Sequence, residues 1–213
     1  MKSKSHRIVC VLLTLLLTSC ATVTYTPRVT LDVSTVTIPG SLRIDKLLDV
    51  SPPEDMSNPF GGFSVSNNKA LIGDLGLELT NSILYDFQTN GVFEKVSKFD
   101  QNADYVLSGE IRRFMGRSKL TTYGVISLLS VVGIYTWYFG MPVRRNETNI
   151  QIVFTLKDRQ GNLIGTYTGM FVDVNKANIY HNIALALPSL TNKALGVSVG
   201  QVRSQIIRDL KKY

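Results

Sequence analysis

The sequence predicts a single α+β domain in which an antiparallel or mixed β-sheet carries helices on one face. Three observations lead to this fold. Strand-like runs with turn residues between them occupy much of the chain, one long amphipathic helix follows a loop rich in Pro and Gly, and an uncharged insert separates two strand-like runs. Residues 29–213 are enough for one well-buried domain, and this is where we expect it.

The first 19 residues have the pattern of a secretory signal peptide. Three basic residues precede a ten-residue run at positions 8–17 that is apolar except for Thr14, and the small polar residues Thr18 and Ser19 follow. Ten residues extend about 15 Å as a helix, whereas the hydrocarbon core of a bilayer is about 30 Å thick. This run is therefore too short to span a membrane, and residues 1–19 are predicted to be removed.

The end of the signal, Leu17-Thr18-Ser19-Cys20, resembles the lipobox of bacterial lipoproteins. This resemblance implies that the Cys20 thiol carries diacylglycerol, that cleavage occurs just before it, and that the new amino terminus receives a further acyl chain such as palmitate. Two or three acyl chains make a stable membrane anchor. Residues 20–28 would then be an acylated tether, and we expect no cofactor beyond these covalent lipids.

Sorting of the protein is predicted from the two residues after the acylated cysteine. In lipoproteins of bacteria with two membranes, an aspartate at this position favours retention in the inner membrane. Here Ala21 and Thr22 follow Cys20. The resemblance therefore implies the outer membrane, with the domain facing the periplasm.

Cysteine content and charge narrow the classes of protein. The two cysteines are Cys10, which leaves with the signal, and Cys20, which carries lipid, so a core rather than a disulfide must stabilise the domain. The chain has 23 basic and 16 acidic residues. Nucleic acid is a poor partner for an exported lipoprotein. Anionic lipid or an acidic protein partner fits the basic clusters better, although such clusters also occur as plain solvated surface.

The domain is predicted to begin with a strand, a turn and a strand. Apolar residues alternate from Val29 to Ile38, with one phase slip, and Pro39-Gly40 precedes a second run that ends at Leu48. Residues 51–68 contain three prolines and two glycines, which predicts a long loop.

One amphipathic helix is the clearest element of the sequence. Its apolar stripe recurs every four residues, and Asn90-Gly91 provides a left-handed stop. Asn67 or Asn68 is the predicted N-cap. The residues of the stripe are Leu71, Leu75, Leu79, Ile83 and Phe87.

Two short β-rich runs follow, VFEKVSKF and ADYVLSGEIRRFMG, and after the insert come two alternating runs joined by the turn KDRQGN. The alternating runs predict a hairpin with one buried face and one solvated face. The last forty residues predict two helices. The first is capped by Asn175 and interrupted at Pro188, and the second starts with the capping-box pair Ser198 and Gln201.

The order of these elements gives a second resemblance. The passage from the amphipathic helix through NGVFEKVSKFD to ADYVLSGEIRRF, with a DRQGN hairpin and a terminal helix, covers residues 68–212. It is similar to the periplasmic domains of small envelope and transporter-auxiliary lipoproteins and, more distantly, to the curli secretion channel lipoprotein. The resemblance implies a protein partner in outer-membrane assembly or transport. The alternative that it implies is an oligomeric pore or secretion-channel subunit that self-associates through residues 120–143.

Catalytic chemistry is not visible in the sequence. After the signal peptide, the chain has one histidine, His181, and no spacing typical of a metal site or of a serine nucleophile. We therefore predict no catalytic residue, no metal and no enzymatic activity.

The uncharged insert at residues 120–143 is bounded by Lys119 on one side and by a pair of arginines on the other. It could dip into the leaflet that holds the lipid anchor or bind a partner, it could be buried in the core of the domain, or it could span the membrane. Aromatic side chains with polar tips favour the headgroup zone, and they crowd the second half of the insert. The predicted membrane- or partner-contact residues are Tyr135, Trp137, Tyr138, Phe139, Arg144 and Arg145.

The lipid anchor can be tested with one substitution. We expect Cys20→Ser to abolish incorporation of a fatty-acid probe and to leave the precursor uncut after residue 19, because the acylated thiol defines the cleavage site. Metabolic labelling and the mass of the purified chain measure both effects. Continued labelling of the variant would contradict the prediction.

Overall fold

A computed structural model describes residues 24–57, 62–66, 70–127, 131–178 and 183–211. The predicted signal peptide, Cys20 and His181 lie outside the described residues. Seven strands and four α-helices are present in the described parts of the chain, together with a 3₁₀ turn at Pro53–Met56. The strands are β1 (Ile38–Ile44), β2 (Leu48–Asp49), β3 (Phe63–Ser64), β4 (Phe93–Ser97), β5 (Tyr105–Leu120), β6 (Arg144–Asp158) and β7 (Leu163–Ala177). The helices are α1 (Leu75–Thr89), α2 (Thr122–Ser127), α3 (Val131–Tyr138) and α4 (Ile183–Leu210).

The sheet is mixed, which confirms the predicted α+β class. Its strand order is β4-β1-β5-β6-β7, with β2 and β3 added along the edge of β5. The pairs β4 to β1 and β1 to β5 are parallel, whereas β5, β6 and β7 form an antiparallel meander. The predicted hairpin is therefore confirmed as β6 and β7, and Gly161 supplies the positive φ of +86° in its turn.

One face of the sheet holds the core beneath α1 and α4. Alternate residues of β6, from Ile150 to Leu156, point into a single apolar cluster with the buried stripe of α1 and with α4. The helix α4 lies so close to the sheet that a Cβ on Gly116 would overlap Thr191, and a Cβ on Gly169 would overlap the Ser198 carbonyl. Glycine at these two strand positions lets the helix approach.

The chain from residue 24 to residue 34, here called the strap, lies along α1 and α4. The Arg28 N–H donates to Asn192 Oδ1 of α4 at 3.0 Å, and the Leu31 N–H donates to Asp86 Oδ1 of α1 at 2.9 Å. Side chains of both helices thus hydrogen-bond to the backbone of the strap and hold it in place.

The predicted start of the first strand is wrong. β1 begins at Ile38 and not at Val29, because the backbone of the strap bonds to helix side chains instead of to a strand. The predicted turn at Pro39-Gly40 is a bulge within β1. Gly40 has a φ of +94°, and the register against β4 shifts between Ile38 and Ser41.

The predicted start of the amphipathic helix is also too early. Gly73 has a φ of +87°, which no helix accommodates, and α1 begins after the N-cap Asp74. The Asp74 carboxylate accepts from the Leu77 N–H at 2.7 Å. The predicted stop is confirmed, since Gly91 follows α1 with a φ of +63°.

The two predicted C-terminal helices are a single helix. Asn175 is part of β7 rather than a helix cap, and α4 continues through Pro188. Pro188 removes one hydrogen bond near the start of α4, a loss that the long buried face of α4 offsets. The predicted capping box at Ser198 is wrong as well, because the Ser198 hydroxyl donates to the Ala194 carbonyl inside the helix.

Replacing Gly169 tests the approach of α4 to the sheet. We expect Gly169→Ala to lower the free energy of unfolding by about 1–3 kcal/mol, because the new methyl group forces α4 away from β7. Urea denaturation measures the change. In the matched control Gly196→Ala, the nearest atom lies 3.7 Å from the added Cβ, so α4 should gain up to about 1 kcal/mol. Equal stability of the two variants would contradict this packing.

Candidate membrane- or partner-contact site

The insert, residues 120–143, forms the end of the β5–β6 hairpin and is here called the tip. Its two helices, α2 and α3, are held at their base by Thr121. The Thr121 N–H donates to the Val143 carbonyl at 2.9 Å, and the Thr121 hydroxyl oxygen accepts from the Gly124 N–H at 2.9 Å. The strand pairing therefore leads directly into α2.

Trp137 joins the two helices of the tip. Its indole N–H donates to Ser127 Oγ at 2.5 Å, and a Cβ on Gly133 would press on the Ser127 backbone. The small residue lets α2 and α3 touch. Trp137 is half-buried as a result.

The other three predicted aromatic residues lie at the surface. Tyr135 is 63% exposed, Tyr138 66% and Phe139 85%. Burial in the core of the domain is therefore wrong for these side chains. None of the helices in the described ranges has the length and apolar character needed to cross a membrane.

The two predicted arginines lie on opposite faces of the sheet. Arg144 places its guanidinium over the Phe63 ring, 5.9 Å from the centroid. Arg145 lies on the open face, opposite Lys119 of β5 and Lys176 of β7. These three cations are here called the cation row. Like charges directly opposite one another repel, so the row carries an energetic cost.

A buried carboxylate, Glu147, offsets part of that cost. It accepts from Arg117 at 2.7 Å, Lys119 at 2.8 Å and Arg145 at 2.9 Å, and its side chain is 7% exposed. Burial alone would raise the pKa of the Glu147 carboxyl, but the hydrogen bonds from Lys119 and Arg117 hold the pKa below its usual value. No other acidic residue occurs at positions 117–147, so the base of the tip keeps an excess of positive charge.

A cleft of about 480 Å³ lies beside the cation row. Its lining combines the three cations with less polar groups of the tip base. The residues on that apolar side include Tyr123, Met141 and Pro142. Such a mixed lining suits a ligand that has an anionic group next to an apolar one.

The outer edge of β7 is a second exposed feature. No described strand pairs with it. Side chains of α4 satisfy part of the edge, since Gln201 accepts from the Met170 N–H at 2.9 Å and Gln205 donates to the Thr168 carbonyl at 3.2 Å. By alternation the outward N–H and C=O groups of residues 172, 174 and 176 continue this edge. These three positions are here called the open edge, and two of them carry exposed valines, Val172 and Val174.

Sequence analysis missed both Glu147 and the open edge. The hairpin register was the signal for Glu147, because Arg117 and Glu147 are directly paired across β5 and β6. No sequence pattern marks the open edge, because its exposure depends on how far along β7 the side chains of α4 hydrogen-bond to the strand. In the described parts of the chain, no three His, Cys, Asp or Glu side chains converge to hold a metal.

Comparison with known proteins identifies the fold. No family model and no curated protein matches the chain. A Xanthomonas campestris protein of family DUF330 matches in structure over 86% of this chain and 98% of its own, with 14% identity and a TM-score of 0.50. The chain shares the fold of that protein.

Two further solved structures match with lower TM-scores. The PelC dodecamer from Paraburkholderia phytofirmans covers 78% of this chain and 91% of its own, with 12% identity and a TM-score of 0.35. A candidate lipoprotein from Caulobacter crescentus covers 67% of this chain and 87% of its own, with 12% identity and a TM-score of 0.39. The lipobox and the likeness to the curli channel stay predictions from the sequence.

Replacing Glu147 tests its role in holding the cations together. We expect Glu147→Gln to lower the free energy of unfolding by about 1–3 kcal/mol at neutral pH, because three partly exposed cations lose their counter-charge. The folded pKa is depressed, so the contribution is complete above the unfolded pKa of about 4.3 and is lost as the pH falls through the folded pKa.

Urea denaturation at a series of pH values measures this difference between the two proteins. The difference should shrink as the medium becomes acidic. A difference that stays constant down to about pH 3 would show that Glu147 stabilises the domain by its shape and not by its charge.

Proposed function

We propose that the protein is a non-enzymatic lipoprotein of the outer membrane, anchored through Cys20, whose periplasmic domain binds a protein partner in envelope assembly or transport. The lipobox and the residues Ala21-Thr22 support the anchor and its location.

Three acidic side chains are buried in the described chain, and each holds structural groups together. Asp86 Oδ1 accepts from the Leu31 N–H and from the Asn90 amide, both at 2.9 Å, while its Oδ2 accepts no hydrogen bond from the described residues. Asp55 accepts two hydrogen bonds from Arg113, both 2.9 Å long, and Glu147 accepts from three cations.

The open edge is the observation that carries partner binding. An exposed strand edge can accept an extended segment of another chain, with backbone hydrogen bonds providing affinity and alternate side chains providing specificity. Here the exposed side chains are Val172 and Val174, and among the described residues the hydrogen bonds from α4 reach the edge as far as Met170. The open edge thus lies in the half of β7 next to the tip.

A proline in the open edge tests this proposal. We expect full-length Val172→Pro to fold, because proline is tolerated where an edge N–H faces outward. It should nevertheless lose its partner, since the ring removes one donor and blocks a neighbouring strand. Crosslinking in intact envelopes, followed by purification of the protein and identification of the captured chains, measures the loss. Val172→Thr is the matched control, because it keeps both the backbone donor and the shape.

The outcomes separate the candidate functions. Capture of a protein by the wild type and by Val172→Thr, but not by Val172→Pro, supports partner binding at the edge. Capture of further copies of the same chain alone would favour the self-associating channel subunit instead. Equal capture by all three chains would refute the open edge as the binding surface.

A further inference from the structure

We propose that the tip docks on a lipid surface, with its exposed aromatic side chains in the leaflet that holds the acyl chains and the cation row on anionic headgroup phosphates. This inference rests on the proposed lipid anchor. It adds an orientation for the domain and a second, non-covalent contact with the membrane.

The direction of the strap places the anchor at the same end of the sheet as the tip. Followed backwards from residue 34 to residue 25, the strap passes from the end of α1 to its start, and from Arg203 to Asn192 on α4. The start of α4 follows directly after β7, whose last residue, Ala177, pairs with Arg144 at the base of the tip. The chain before residue 25 therefore approaches the domain from the side of the tip.

The length of the tether agrees with this orientation. The Tyr25 ring lies 6.1 Å from the Phe114 ring, and Phe114 is six residues before the end of β5, a distance of about 20 Å along the strand. Cys20 is five residues before Tyr25, so an extended tether spans about 17 Å. An acylated Cys20 can thus come within about 3 Å of the level of the tip base, and so short a tether holds this end of the sheet close to the bilayer.

The side chains of the tip suit the interfacial zone of a membrane. Tyr135 and Tyr138 present rings with polar hydroxyl groups, and Phe139 and Ile126 are wholly apolar and mostly exposed. Tyrosine and tryptophan favour the headgroup level, where one end of the side chain is apolar and the other is wet. The transfer of such an apolar patch from water to the acyl boundary of the bilayer is favourable in free energy.

The charges near the tip fit phosphate groups. Lys119, Arg145 and Lys176 lie opposite one another in three adjacent strands and line the cleft at the tip base. An anionic headgroup in this cleft would relieve their mutual repulsion, while Tyr123 and Met141 contact the less polar part of the lipid.

The opposite end of the sheet carries both signs of charge in balance. Its carboxylates and cations stand side by side, and Asp100 forms an ion pair with Lys95 at 3.1 Å. The carboxylates are Asp100, Asp104 and Asp158, and the cations beside them are Lys98, Lys157 and Arg159. This end therefore lacks the excess of positive charge found at the tip base, which agrees with the orientation given by the strap.

Trp137 provides a direct test, because it is the only tryptophan in the chain and lies in the tip. The full-length acylated protein is reconstituted in vesicles of phosphatidylethanolamine and phosphatidylglycerol that carry brominated acyl chains. We expect the bromine atoms to quench Trp137 fluorescence. The double variant Tyr135→Ser/Phe139→Ser should lose this quenching severalfold while it stays on the vesicles through Cys20.

The matched control for the aromatic side chains is Phe99→Ser. Phe99 is 84% exposed, almost the same as Phe139, but it lies at the other end of the sheet. We expect this variant to be quenched like the wild type. Equal loss of quenching in both variants would contradict docking by the tip.

The phosphate contact is tested by Lys176→Gln, which leaves the ion pairs of Glu147 intact. We expect the ratio of docked to undocked tips to fall about fivefold in vesicles with phosphatidylglycerol and to stay unchanged in uncharged vesicles. Lys157→Gln, at the far end of β6, is the matched control and should have no effect. A loss that is equal in both kinds of vesicle would refute the phosphate contact.

Three results would overturn the inference. Vesicle-bound wild-type protein with unquenched Trp137 would refute the docked tip and leave the lipid anchor standing. Release of the wild-type protein from the vesicles would refute the anchor and this orientation with it. Quenching that requires a high protein density, accompanied by crosslinks between tips, would show that the tip contacts a second copy of the chain.

Discussion

The close packing of α4 on the β5–β6–β7 meander is the contact on which the other features of the domain depend. It requires glycine at positions 116 and 169, where any Cβ would overlap the helix. The packed helix provides Asn192 to one end of the strap and Arg203 to the other. It also provides the glutamine side chains that satisfy the first half of the β7 edge. Core, strap and edge are therefore coupled through a single helix.

The two ends of the sheet differ because β5 and β6 remain paired over their full length. This pairing carries the tip away from the core, so its aromatic side chains stay exposed, while the base of the tip is fixed by Thr121 and Val143. The same register brings Lys119, Arg145 and Lys176 into one row. Three charges that are far apart in the sequence are thus brought together by the register of the strands.

Elements whose signal is local could be predicted from the sequence. The β6–β7 hairpin followed from strict alternation around one glycine turn, and the end of α1 followed from Asn90-Gly91. Elements that depend on tertiary contacts could not be predicted. The alternation at residues 29–33 is that of a strand, yet those backbone groups bond to Ser82 and Asp86 of α1. Pro188 normally ends a helix, but here the buried face of α4 outweighs the lost bond.

The candidate site was predicted in part for the same reason. Its aromatic residues stand together in the sequence, which favoured a contact surface but left burial in the core as an alternative. The exposure of Tyr135, Tyr138 and Phe139 is visible only in the structure. The opposite directions of Arg144 and Arg145 follow from their place in a strand, which the sequence alone did not establish. The open edge could not be predicted, because it begins beyond the β7 backbone groups that bond to Gln201 and Gln205, and this contact depends on the packing of α4.

The geometry of the strap also determines how the domain responds to mechanical load. A pull applied at residue 24 towards the tip acts along the strap, whereas the bonds from Arg28 to Asn192, Val29 to Ser82 and Leu31 to Asp86 run sideways to the flanking helices. These bonds are loaded together in shear and do not open one after another as in peeling. If the domain is pulled from this end, the force is shared by several strap hydrogen bonds at once, so the core is not exposed by the rupture of one bond after another.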